Sequence, residues 1–161
     1  MIQAIIFDLD GVLTATDGYH TTAWKQTCAA WNISFSEETA DLLRGVSRME
    51  CARIIMNRAG KHFTEAELEQ FAEEKNELYI HLLDHMTQDD VFEGVVQLLQ
   101  VLKERNIPMA VASSSKNAPL ILEKTKIFDY FTATIDGTMI THSKPNPEVF
   151  CRAADALGVA Y

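Results

Sequence analysis

Positive charge is scarce in this chain. Its 161 residues hold 14 Lys and Arg against 23 Asp and Glu, a formal net charge of −9. Nucleic acids and anionic membrane surfaces are met by clustered Lys and Arg, so the balance argues against both as partners. An anionic substrate would need a locally basic pocket. Cysteine is scarce as well: Cys28, Cys51 and Cys151 are odd in number, far apart and without metal-ligand spacing. They read as reduced packing thiols, which places the protein in the cytoplasm by default. No apolar run of membrane length occurs, because Asp8 and Asp10 interrupt the opening apolar stretch, and no signal-peptide pattern precedes it. Internal repeats and low-complexity segments are missing too. What is present, 47% hydrophobic and 23% charged residues, suits a packed core with a small accessory domain.

Along the chain, a strand is predicted over 3–8, and the turn residues Thr14-Ala15-Thr16-Asp17-Gly18 then open a run of helices. Helical spacing of Trp24, Cys28 and Trp31 predicts a helix over 19–31, and further helices are predicted over 50–59 and 64–86. The last carries a stripe of Leu68, Phe71, Ala72, Leu78, Leu82, Leu83 and Met86, and Thr64-x-x-Glu67 reads as its capping box. Beyond Val91 the pattern predicts a helix over 95–105, a strand over 109–112, a helix from 118 and a strand over 132–135. Strands alternating with helices imply a parallel sheet. The expected organisation is a core of residues 1–14 and 91–161, interrupted by a helical insertion over 15–90.

Three segments carry chemistry. Ile5-Ile6-Phe7 delivers Asp8-Leu9-Asp10-Gly11-Val12, and a side-chain period of two turns Asp8 and Asp10 the same way at the C-terminal end of the strand, where open α/β sheets keep their ligands. Two anions so close call for a cation, and Mg²⁺ is the hard ion that carboxylate oxygens take. A metal-assisted carboxylate nucleophile follows. Second, the strand Met109-Ala110-Val111-Ala112 runs into Ser113-Ser114-Ser115 ahead of a helix opening at Asn117-Ala118-Pro119, where hydroxyls and backbone N–H groups can bind phosphate oxygens. Third, Lys144 precedes Pro145-Asn146-Pro147-Glu148, which holds it on a loop. His81 and His85, four residues apart beside Asp84, read as solvent-facing and not as a metal pair.

The order and spacing of these segments resemble those of the haloacid dehalogenase superfamily. The finer match is to its β-phosphoglucomutase branch. It rests on Phe7-Asp8-Leu9-Asp10-Gly11-Val12, Thr16, Tyr19-His20, Ala23-Trp24, Gly45-Val46-Ser47-Arg48, Lys75-Asn76, Ala112-Ser113, Ser115-Lys116-Asn117 and Ser143-Lys144-Pro145. The resemblance implies an α/β fold with a Rossmann-like parallel three-layer core and an inserted α-helical cap. It also implies a small phosphorylated sugar as substrate and Mg²⁺ bound by Asp8 and Asp10. Phosphate would move between the C1 and C6 oxygens of glucose, with glucose 1,6-bisphosphate as intermediate and activator.

The same resemblance assigns roles. Asp8 would be the nucleophile and Asp10 the general acid and base, while Ser113 and Lys144 would hold the transferring phosphoryl group. Ser115, Lys116, Asn117 and Arg48 would hold the other phosphate, and Thr16, His20, Gly45, Lys75 and Asn76 would serve the hinge, the cap and sugar contact. A phosphatase of the same superfamily, acting on small sugar phosphates, is the alternative.

Two departures from the pattern stand out. Ala15 and Arg44 occupy positions where this branch usually has Asp and Lys, and the chain ends at Tyr161, where the family continues into another strand and an acidic pair. The resemblance therefore implies missing C-terminal core strands and a metal site without its usual third acidic ligand. A catalytically silent fragment, or self-association through the uncovered sheet edge, are the matching expectations.

Overall fold

The computed structural model describes residues 2–160. In chain order its elements are β1 (Ile5–Phe7), α1 (Asp17–Ala30), α2 (Glu37–Leu42), α3 (Arg48–Arg58), α4 (Glu65–Leu83), α5 (Val95–Glu104), β2 (Met109–Ala112), α6 (Ala118–Lys124), β3 (Ala133–Ile135) and α7 (Glu148–Leu157). Single 3-10 turns cover Gln88–Asp90 and Phe128–Tyr130. The chain divides into two compact units, Met1–Thr16 with Met86–Tyr161, and Asp17–His85.

The first unit is an α/β structure built on a parallel sheet in the order β1-β2-β3. All four residues of β2 are buried, as expected for the central strand of a sheet covered on both faces. The strand alternation sends Ala110 and Ala112 to one face, where they pack with Ile135, Val149 and Ala153. Small side chains at 110, 112 and 153 let α7 lie close to the sheet. Met109 and Val111 point the other way and are equally buried. Strand β1 differs: Ile5, Ile6 and Phe7 are each half-buried, and among the described residues β1 pairs with β2 alone. Its predicted span of 3–8 shortens to three residues because a tight turn follows at once, in which Leu13 N donates to Leu9 O at 2.9 Å and Gly11 N to Thr14 O at 3.0 Å.

The second unit is helical. Trp24 and Cys28 of α1, Cys51, Ala52, Ile55 and Met56 of α3, and Leu68, Phe71 and Ala72 of α4 form its core. Phe71 is fully buried, 5.6 Å from the Trp24 ring and edge-on to Trp31 at 5.3 Å. Thr64 caps α4 with the predicted box: its hydroxyl accepts from Glu67 N, and the Glu67 carboxylate accepts from Thr64 N at 2.8 Å. The bond from Thr64 N, with a second from Thr64 Oγ1 at 2.9 Å, holds the Glu67 carboxyl below the ordinary carboxylate range.

Helix α4 ends at Leu83 and not at 86, because Thr87 starts a new capped turn with Asp90. Its buried face runs Leu68, Phe71, Ala72, Lys75, Tyr79 and Leu83. That is a regular three-four spacing with a lysine in it. Leu78 and Leu82, predicted for the stripe, are half-buried beside it. Helix α2 was not predicted. It has six residues with Thr39 alone buried, too short to show a period, and is set by Ser36, whose hydroxyl accepts from Thr39 N at 3.2 Å.

Candidate active site

Asp8 directly follows Phe7 at the C-terminal end of β1. Its Oδ1 accepts from Leu9 N at 2.8 Å and pairs with Lys144 Nζ at 2.7 Å. Both partners take the same oxygen, so Oδ2 remains for other work. The pair is neither sunk nor fully wet, with Asp8 34% and Lys144 19% exposed. Lys144 Nζ also donates to Ala112 O at 3.1 Å, at the end of β2, and lies 5.0 Å over the Phe150 ring.

Asp10 is held by two hydroxyls. Thr16 Oγ1 donates to its Oδ1 at 2.6 Å and Ser113 Oγ to its Oδ2 at 3.3 Å. Thr16 and Ser113 are both fully buried. Asp8, Asp10, Thr16, Ser113 and Lys144, five positions singled out in the sequence, are thus joined around the ends of β1 and β2 within one unit.

The serine loop is ordered by its own side chains. Ser113 Oγ accepts from Ser115 N at 3.0 Å, and Ser115 Oγ accepts from Asn117 N at 3.2 Å. Two of the backbone N–H groups expected to meet phosphate therefore stand on hydroxyls of the loop itself. Ser114 Oγ is buried without a hydrogen-bond partner among the described residues, and Lys116 is exposed. The β3 turn lies against this loop: Ser113 N donates to Ile135 O at 2.9 Å and Gly137 N to Ser115 O at 3.2 Å. A Cβ at Gly137 would stand 2.3 Å from Ser114 O and 3.1 Å from Lys116 N, so position 137 has no room for a side chain. Beside it Asp136, buried, accepts from Thr138 N at 2.7 Å and Thr138 Oγ1 at 2.6 Å. Sequence reading missed Asp136 and Gly137. An Asp-Gly pair closing a predicted strand was the available signal.

Glu148 was also passed over as a site residue. Its carboxylate, 17% exposed, accepts from Thr141 N at 3.1 Å, His142 N at 2.8 Å and Arg152 Nε at 2.9 Å. The backbone N–H groups of His142 and Thr141, ahead of Arg152, pull its carboxyl down from 4.5 to about 2. A carboxyl depressed in the folded state stabilises above its unfolded value, and that contribution is lost as pH falls from about 4.5 toward about 2. The urea midpoint should therefore drop across that window, and the E148Q variant should show a smaller drop. An equal drop in both would contradict the assignment.

The helical unit gathers the remaining candidates in two groups. Lys75, 3% exposed, places Nζ 2.9 Å from His20 Nδ1, 4.3 Å over the Tyr79 ring and 5.0 Å over that of Trp24. An ammonium has donors and no acceptor, so a charged Lys75 donates this bond to Nδ1. The His20 ring stacks on Tyr79 with centroids 4.1 Å apart.

Arg48 is the first residue of α3, and its Nη1 lies 3.4 Å from Glu73 Oε2. That is an ion pair without hydrogen-bond geometry, since Nη1 is buried and makes no hydrogen bond among the described residues. Glu73 Oε1 also accepts from Asn76 Nδ2 at 3.4 Å, so Arg48 and Asn76 meet around one carboxylate that sequence reading did not single out. Gly45, with φ of 72°, turns the chain between α2 and α3 in a conformation L side chains resist. Arg44 pairs with Asp41 at 3.2 Å, both well exposed. Burial pushes the Cys28 and Cys51 thiols up to about 12, Cys51 despite the opposing charge of Lys75, so neither is a reactive thiolate.

The family model "haloacid dehalogenase-like hydrolase" matches residues 2–161. The chain is 39% identical to a β-phosphoglucomutase of Bacillus subtilis, across 99% of this chain and 71% of that protein. It is 26% identical to a phosphorylated carbohydrates phosphatase of Thermotoga maritima, across 98% of this chain and 72% of that one. The crystal structure of a β-phosphoglucomutase from Clostridium difficile superposes with a TM-score of 0.93 at 38% identity, covering 99% of this chain and 72% of the other.

Proposed function

The chain belongs to the haloacid dehalogenase-like hydrolase family, and from that footing we propose that it is a phosphosugar mutase working through a phosphorylated Asp8. The observation that carries the reading is the pairing of Asp8 with Lys144 at 2.7 Å beside an Asp10 tied to Thr16 and Ser113. In this reading Asp8 Oδ2 attacks the phosphorus of a sugar phosphate, a carboxylate oxygen to phosphorus bond forms, and the bond to the sugar oxygen breaks. Asp10 gives the departing oxygen its proton. In the reverse step Asp10 takes the proton of an incoming hydroxyl while the phosphoryl group leaves Asp8. Lys144 balances the negative charge gathered at Asp8 throughout.

The surroundings of Asp10 suit the double duty. Hydroxyls of Thr16 and Ser113 donate to it when it is ionised and can turn to accept when it is protonated, so neither state leaves an unpaired group. Sugar specificity belongs to the proposal as well: phosphate would move between C1 and C6 of glucose, with glucose 1,6-bisphosphate between half-reactions. Ser115, Lys116, Asn117 and Arg48 are proposed for the second phosphate, and His20, Lys75, Asn76 and Gly45 for the cap. The buried Nη1 of Arg48, without a hydrogen bond among the described residues, supports an anion there. A phosphate arriving at Arg48 would have to displace Glu73.

The donor set fits a hard divalent cation, because Asp8 and Asp10 offer oxygen ligands alone and Asp8 Oδ2 takes neither Lys144 nor Leu9 N. Mg²⁺ held by Asp8 and by Asp10, through its backbone carbonyl, would supply neutralisation of the phosphoryl oxygens. The half-exposed edge of β1 supports pairing with a second copy as a further part of this reading.

Likeness to the Thermotoga phosphatase favours a second reading, in which water takes the phosphoryl group from Asp8. One assay separates the two: β-glucose 1-phosphate, catalytic glucose 1,6-bisphosphate and Mg²⁺, with glucose 6-phosphate and free phosphate followed together. Isomer without free phosphate supports the mutase and free phosphate the phosphatase. Neither product, over a range of sugar phosphates, would sink both.

A further inference from the structure

Lys144 sits in a largely exposed segment. Residues 141, 142, 145, 146 and 147 are exposed, and Ser143 and Lys144 are half-buried. Ordering each residue costs backbone entropy, so such a loop needs specific bonds to stay put. It finds them at Glu148. At its start, Thr141 N and His142 N donate to the Glu148 carboxylate, and His142 Nδ1 lies 3.3 Å from the same oxygen as His142 N. At its end, Glu148 N donates to Asn146 Oδ1 at 3.0 Å, and between the two Asn146 N donates to Ser143 O at 3.1 Å. One residue thus closes both ends of a loop that has Lys144 at its middle.

Arg152, one turn along α7, fixes the clasp from behind with Nε at 2.9 Å and Nη2 at 2.8 Å from Glu148 Oε1. The side of α7 that faces the loop contributes Phe150, whose ring lies under Lys144 Nζ.

From this arrangement we infer that Glu148 is the positioning residue for Lys144, setting the ammonium on Asp8 without touching the reacting atoms itself. Its charge matters because Thr141 N, His142 N, Arg152 Nε and Arg152 Nη2 converge on it, and the two backbone groups make no other hydrogen bond among the described residues. Arg152 acts one step further back, holding Glu148. The inference rests on the phosphoryl-transfer reading for its kinetic consequence and on hydrogen bonds alone for its structural one.

The test uses the full chain with E148Q, E148A and R152A, each checked for folding by its melting temperature. Two readouts are taken: amide hydrogen exchange over residues 141–147, and steady-state turnover of β-glucose 1-phosphate. Exchange in the loop should accelerate in E148Q and E148A while that of β1 and β2 stays as in wild type. Turnover should fall in kcat with KM little changed, about tenfold for E148Q and about 10²-fold for E148A, the scale of a misplaced catalytic group. R152A should fall less.

Adding E148Q to K144A should cost nothing further, since the lysine it positions is gone. A general structural role would instead lower the melting temperature in the K144A background as in wild type and leave kcat per folded molecule intact. Loss of activity without faster loop exchange, or unchanged kcat in E148Q, overturns the inference. Should the wild-type chain turn over no sugar phosphate, the functional reading fails, and the exchange data alone uphold or overturn the positioning of Lys144. If E148A does not fold, E148Q carries the same comparison.

Discussion

Exchanging Asp8 for asparagine should remove turnover altogether, a loss of about 10⁴-fold or more, while leaving the fold in place. Asparagine has the shape of aspartate, so its Oδ1 can still accept from Leu9 N and from Lys144 Nζ. What vanishes is the second anionic oxygen, and with it the ability to form a bond to phosphorus. Stability should barely move. Lys144 keeps Ala112 O as an acceptor and is 19% exposed, and a partly solvated ion pair of this kind contributes about 1 kcal/mol or less. Mass spectrometry of wild-type protein mixed with substrate and quenched in acid should find a phosphoryl group on the peptide carrying Asp8, and D8N should show none. A D8N protein retaining more than about 1% of wild-type turnover would require another nucleophile and would overturn the proposed chemistry.

The Gly137→Ala variant is expected to have the second largest effect, and for a reason unrelated to chemistry. One methyl group would sit 2.3 Å from Ser114 O and 3.1 Å from Lys116 N, both backbone atoms that cannot swing aside. Relief requires the turn after β3 to separate from the serine loop, breaking the bond from Gly137 N to Ser115 O. Overpacking of this kind costs about 1–3 kcal/mol, which for a domain of this size lowers the melting temperature by about 3–10 °C. The displaced loop carries Ser113, which holds Asp10, so activity should fall along with stability. Thermal unfolding and turnover measured on the same preparation check both. A G137A protein with a wild-type melting temperature and full activity would show that the two loops do not meet as described.

Much of the core unit was legible because its signals are local. Asp8 and Asp10 just past a short apolar strand, the apolar run 109–112 and the serines after it need no more than a local pattern and a turn to be read. The Thr64 capping box was equally readable, since its partners are three residues apart. Length defeated α2, which is too short to show a period. The status of Lys75 was missed for a different reason. Its three-four spacing from Phe71, Ala72 and Tyr79 marks it for the buried face, but charge argues for solvent, and the contacts that decide the matter come from His20 and Trp24, more than fifty residues away.

Sequence alone, then, determined the alternation of strand and helix, the two carboxylates at the end of β1, the serine loop after β2 and the lysine ahead of two prolines. Each depends on neighbours within a few residues, whose backbone preferences are set by local sterics and hydrogen bonding. Tertiary structure decided what those groups do to one another: that Lys144 meets Asp8 and not solvent, that two hydroxyls share Asp10, that Glu148 clasps the lysine's loop and that position 137 has no space for a methyl. Two of these pairings cross more than a hundred residues of chain, Ser113 with Asp10 and Lys144 with Asp8. Which distant partner wins depends on packing the whole core at once, and no short stretch of sequence holds that information.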